Sequence, residues 1–245
     1  MSDGQTETQD PGANRLEDRL DALLHLLDRQ VVDCDGRMVG KVDDLELTER
    51  EDQRLDVTGI LTGPAALVPR LGGNHDRGAL VWWQRLAPAR GDRDVPGWID
   101  LDDVDALGSG VTLKVRRDQL VRPQPDAPAG TPHRRLADML GMRVLGPDGQ
   151  ELAARVTDVR LEPAVAETGI HPRVLSLITG RIRPGLLLGY DRAQVNGPWL
   201  IAKLLGRLNR YTQELPWDDL DRIDWDDRTV HARVAPRPLR PLHEE

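Results

Sequence analysis

LDRQVVDCDGRMVGKVDDLEL at Leu27–Leu47 and LGMRVLGPDGQELAARVTDVRL at Leu140–Leu161 decide the fold, because one pattern is written twice. Each copy has an apolar run, an Asp-Gly pair, a second apolar run, and an acidic or polar step into a third. Asp35-Gly36 matches Asp148-Gly149, and Val42-Asp43-Asp44-Leu45 matches Val156-Thr157-Asp158-Val159. Asp-Gly supplies the positive φ values of a tight turn between twisted strands, so Asp35, Gly36, Asp148 and Gly149 are read as structural turns. Leu45 and Leu47 alternate with Asp44 and Glu46, as Val159 and Leu161 do with Asp158 and Arg160. Period two predicts a strand with one face buried and the other in water.

The correspondence continues downstream, and such repeats set the fold. VTGILTG (Val57–Gly63) aligns with VLSLITG (Val174–Gly180), and IDLDDVDALGSGVTLKV (Ile99–Val115) with LPWDDLDRIDWDDRTVHARV (Leu215–Val234). Leu67–Leu86 and Leu186–Leu208 also share a layout, and four blocks in one order predict internal duplication. Each half reads as five or six short strands with little helix, the spacing of a small barrel or strongly bent sheet. Leu16, Leu20, Leu23, Leu24 and Leu27 predict a short amphipathic helix over Leu16–Asp28 that caps a β domain. Leu67–Gly91, with Pro69 and Gly72-Gly73, reads as a loop with a short apolar piece. The expected organisation is a disordered tail (1–15), a first domain (16–115), a Pro-rich linker (116–135), a second domain (136–234) and a C-terminal tail (235–245).

The Asp-Gly hairpin, the acidic third strand and the late W-D-D-L-x-x-I at Trp217–Ile223 resemble the PRC-barrel family, in both halves. The resemblance implies a mainly β protein of two small PRC-barrel-like β-barrels with short helical segments. It also implies a docking module without catalytic residues. Other members of the family serve in the photosynthetic reaction centre H subunit and in a ribosome maturation factor. This sequence shows neither the membrane helix of the first nor the other domain of the second.

Composition narrows the function classes. The 245 residues carry a net charge of −8, with 16 basic and 24 acidic side chains in residues 1–122 and 17 of each thereafter. That balance opposes a phosphate-backbone partner, and no direct DNA binding is expected. Arg richness reads as genome composition, since Lys occurs only at 41, 114 and 203. With one cysteine, Cys34, no intrachain disulfide can form, which suits a cytoplasmic, reducing location. Neither a secretory signal nor a membrane-spanning run is read in the sequence.

No catalytic, metal or cofactor residues are assigned. The Asp clusters at Asp100–Asp105 and Asp218–Asp227 lack the D-x-D-x-D-G calcium pattern and read as solvated, charge-protected strand edges. His75-Asp76, in GGNHDRG, is the most enzyme-like spot, but no motif places a nucleophile beside it. Trp82, Trp83 and Trp199, with Leu200 and Leu204, form the candidate protein-interaction surface, because Trp is a common interface anchor. The alternative is that these segments plug the barrel ends or pack the halves together. Trp199–Arg210 could also lie on a membrane surface. The expected function is a non-enzymatic docking or scaffold protein with an unidentified protein partner. The alternatives are a ribosome- or RNA-processing-associated factor, a peripheral component of a membrane electron-transfer complex, and an enzyme using the His75-Asp76 loop.

Overall fold

The computed structural model describes residues 20–72, 96–107, 110–120, 122–123, 133–162, 171–180 and 212–239. The chain is mainly β. In the first half, β1 (Leu20–Asp21), β2 (Gln30–Val32), β3 (Met38–Lys41), β4 (Asp44–Glu49) and β5 (Leu55–Thr62) precede β6 (Gly97–Asp100), β7 (Val104–Leu107), β8 (Val111–Leu113) and β9 (Arg122–Pro123). The second half has β10 (Arg134–Arg135), β11 (Arg143–Leu145), β12 (Glu151–Leu161), β13 (Val174–Gly180), β14 (Gln213–Pro216), β15 (Leu220–Asp224), β16 (Thr229–Ala232) and β17 (Arg237–Pro238).

The two sets of strands pair on one plan. β2 and β3 form an antiparallel hairpin through Asp35-Gly36, and β11 and β12 form another through Asp148-Gly149. Gly36 and Gly149 have φ of 74° and 77°, a region an L side chain rarely enters. β2 lies parallel to β8, with Val31 opposite Val111; β11 lies parallel to β16, with Val144 opposite Val230. The orders β10-β4-β5-β6-β9 and β12-β13-β14-β17 complete the pattern. The long β12 spans in one strand what β3 and β4 cover with a break at Val42-Asp43. The three sheets end in different strands, so among the described residues none closes on itself.

The halves exchange strands. β1 of the first half pairs with β12, placing Leu20 opposite Leu161 and Asp21 opposite Arg160. β10 of the second half pairs with β4, placing Arg134 opposite Leu47 and Arg135 opposite Glu46. The buried apolar side chains form one cluster that draws on both halves, from Leu20, Leu45 and Leu47 to Val159, Leu161 and Leu177.

This exchange corrects several expectations. Asp44, Glu46, Asp158 and Arg160 are buried (0%, 2%, 2% and 8% exposed), so β4 from Asp44 to Leu47 and β12 from Asp158 to Leu161 are covered on both faces. The alternation is real, but the other half takes the place of water on the polar face. The expected helix Leu16–Asp28 is, among its described residues, β1 followed by one π-helical turn, Ala22–Leu26. Pairing with β12 fixes Leu20 and Asp21 as extended, and Leu27, extended again at ψ 149°, ends the turn before Asp28 at φ 63°. Parts of the expected linker and tail join sheets: β9 pairs with β6 and β17 with β14, each through an Arg-Pro dipeptide.

The expected loop at Leu67 begins inside an α-helix, Pro64–Gly72. Pro69 cannot donate to the carbonyl of Ala65, four residues earlier. Arg135 Nη1, from the second half, donates to that oxygen instead at 3.3 Å.

Candidate functional site

The two halves meet along a polar seam, and the side chains that build it come from matched positions. Asp44 Oδ1 accepts the N–H of Leu45 at 2.9 Å and of Ala137 at 3.1 Å. Ala137 lies in the helical turn Leu136–Met139 that follows β10. Asp158 Oδ1 accepts the N–H of Val159 at 2.7 Å and of Leu23, in the π-helical turn, at 2.8 Å. Each aspartate therefore satisfies an otherwise orphaned helical N–H of the opposite half.

Larger polar clusters flank these aspartates. Glu46 accepts the indole N–H of Trp98 at 2.7 Å and the hydroxyl of Thr58 at 3.1 Å, and its other oxygen lies 2.6 Å from His133 Nδ1. At the corresponding place, Arg160 donates to Asp21 and Glu214, both at 2.8 Å, and Ser176 donates to the same Glu214 oxygen at 2.7 Å. Asp56, also buried, accepts from Arg50 at 2.7 Å and across the seam from Arg173 at 3.1 Å. Burial pushes the Asp44 carboxyl up to about 7. The N–H donors of Leu45 and Ala137 and the Arg135 charge oppose that push, and Asp138 adds to it. Burial holds the His25 imidazole below its ordinary range, and its Nδ1 accepts the Asp21 N–H at 2.9 Å.

Beside the seam opens a cleft of about 460 Å³. One wall is the turn between β4 and β5, with Glu49, Asp52, Gln53, Arg54 and Leu55. Gln53, at φ 62°, lets the turn close, and the Arg50 N–H bonds the Arg54 carbonyl at 2.8 Å. The other wall is the 3-10 turn Trp217–Asp219 with β15, Trp225 and Arg233. Arg54 reaches across to Asp218. Arg222 and Arg233 both engage Asp221, at 3.1 and 3.6 Å. The Arg134 guanidinium stacks over the Trp225 ring, 4.5 Å from its centroid. Leu55, Leu220 and Trp217 form the buried floor, and half-buried Trp225 and Ile223 with the arginines give the open lining, a Trp–Arg combination suited to recognition.

The sequence-derived candidates are placed unequally. Trp82, Trp83, Trp199, Leu200, Leu204 and the His75-Asp76 pair lie outside the described residues. The Asp-Gly turns sit on the surface, with Cys34 exposed in the first. The Asp clusters form compact turns: Asp100 accepts the Asp102 N–H at 3.0 Å, and Asp224 those of Asp226 and Asp227. Among the described residues, no three His, Cys, Asp or Glu side chains are grouped to hold a metal ion. The cleft was invisible to sequence reasoning except as a second Trp in WDDLDRIDW, since its walls come from different halves. No protein-family model matches the chain, and no curated protein is found to be similar to it.

Proposed function

We propose that this is a non-enzymatic docking or scaffold protein, a tandem duplication of a PRC-barrel-like module. The observation that carries this reading is the inter-half cleft, where half-buried Trp225 stands among Arg54, Arg222 and Arg233 above the buried Trp217. The repeated strand pairing supports the duplication. The buried carboxylates at the seam each serve a backbone N–H or a fixed side chain, a structural use. The cleft offers the residue types that dominate protein–protein binding energy. The partner is a protein, and the expected location is the cytoplasm. No described helix is long and apolar enough to cross a membrane. The expected surface at Trp82, Trp83 and Trp199 is a second docking candidate.

The test is affinity capture of the tagged full chain from its own cells, with mass spectrometry of what is retained. Two folded controls locate the surface: Arg222→Glu/Arg233→Glu for the cleft, and Trp82→Ala/Trp83→Ala for the tryptophan segment. A near-stoichiometric protein lost in one control supports docking there. A partner-free wild-type protein counts against a stable scaffold.

A further inference from the structure

The two seam aspartates are equivalent in the bonds of their Oδ1 atoms but not in the rest of their surroundings. Asp44 is fully buried, and its Oδ2 has no hydrogen-bond partner. Its Oδ1 already serves two N–H donors, one from each half. The charged groups around it are Glu46 on its own strand, His133 and Arg135 on the segment laid across it, and Asp138 on the helical turn beyond. Arg135 is committed elsewhere as well, to the Ala65 carbonyl, while the Asp138 carboxylate accepts the Arg135 N–H.

A charge here is held by two N–H groups and one oxygen without a partner, in a site closed by the other half. Opening the seam would return that carboxylate to water. Ionisation therefore favours the open seam, and protonation favours the closed one.

We propose that Asp44 is a proton-operated latch: protonation tightens the grip of β4 on the second half's entry segment, and deprotonation loosens it. The sign follows from burial. The closed form holds its proton up to about 7, whereas the ordinary carboxyl value is 3.8. The extra stability is complete below the ordinary value and is lost as pH rises through neutrality. Between pH 5 and pH 8 the opening equilibrium shifts by a factor on the order of 100.

Hydrogen exchange on the full chain tests this, with the amide protection of Ala137, corrected for intrinsic exchange, compared at pH 5 and pH 8. Protection falling by on the order of 100-fold is expected in the wild type and only a few-fold in Asp44→Asn, which keeps the acceptor oxygen without the charge. His133 sits nearby, so His133→Gln separates its contribution; it must leave the Asp44-dependent change in place. Equal protection at both pH values, or an unchanged pH effect in Asp44→Asn, overturns the latch. If Asp44→Asn does not fold, isotope-edited infrared titration of the wild-type carboxylates decides. All Asp signals titrating below pH 5 would exclude the proposal, and one Asp signal near neutrality, absent from the ordinary range, would support it.

Discussion

Asp44 and Asp158 perform one task from opposite sides of the seam: each accepts the N–H of its following residue and one N–H from a helical turn of the other half. Replacing Asp158 by Ala strands the N–H groups of Leu23 and Val159 in the interior. Each stranded donor costs about 1–3 kcal/mol, so a loss of about 2–4 kcal/mol is expected. Asp158→Asn, which retains an acceptor, should lose less. Urea unfolding of the three proteins checks the order.

Gly59 is needed for a close approach. A Cβ there would collide with the Trp98 indole and stand 3.0 Å from Glu46 Oε2. Gly59→Ala should force the indole off its hydrogen bond to Glu46 and destabilise the fold by about 1–3 kcal/mol. In a Trp98→Leu background the same change should cost much less. Thermal unfolding of the double-mutant cycle measures the coupling.

The cross-seam ion pairs differ in worth. Asp218 is 81% exposed at its side chain, whereas Asp56 is 6% exposed and held by two arginines. Water screens the first, so Asp218→Asn should change stability by less than about 1 kcal/mol. Asp56→Ala removes a buried carboxylate, but Arg50 and Arg173 are themselves about half exposed and regain water, so it should cost more than Asp218→Asn, about 1–3 kcal/mol. Denaturation at low and high salt distinguishes them, because the Asp218 effect should fade further with salt.

The exchanged strands predict that chain continuity is not what holds the halves together. A protease site placed between Gln124 and Thr131 would allow the backbone to be cut after folding. The fragments should co-elute in size-exclusion chromatography and separate only in denaturant. Separation in native buffer would show that β1, β10 and the seam contribute little to association.

How much was legible in the sequence depended on whether a signal was local. The Asp-Gly turns were read from two residues, and Gly36 and Gly149 have the required positive φ. The alternation in D-L-E-L marked β4 as a strand. It could not tell which face met water, because a carboxylate covered by a distant helical turn and one covered by solvent give the same letters. Leucine spacing at 20, 23, 24 and 27 announced burial, and Leu20 and Leu27 are buried while Leu23 and Leu24 are half-buried. It suggested a continuous helix because it does not say that the burying surface is β12. The cleft lay beyond reach for the same reason, since Arg54 and Asp218 are 164 residues apart.

The exchange of β1 and β10 also bears on inheritance. A gene fragment encoding either half alone would leave its central strand short of one neighbour and its seam aspartate without a donor from the other half. The entry segments at Leu20–Asp21 and Arg134–Arg135 must therefore change in step with strands on the opposite half. Substitutions in this chain should co-vary between β1 and β12, and between β10 and β4, rather than within each half. Truncation to one half is a costly route for the same reason.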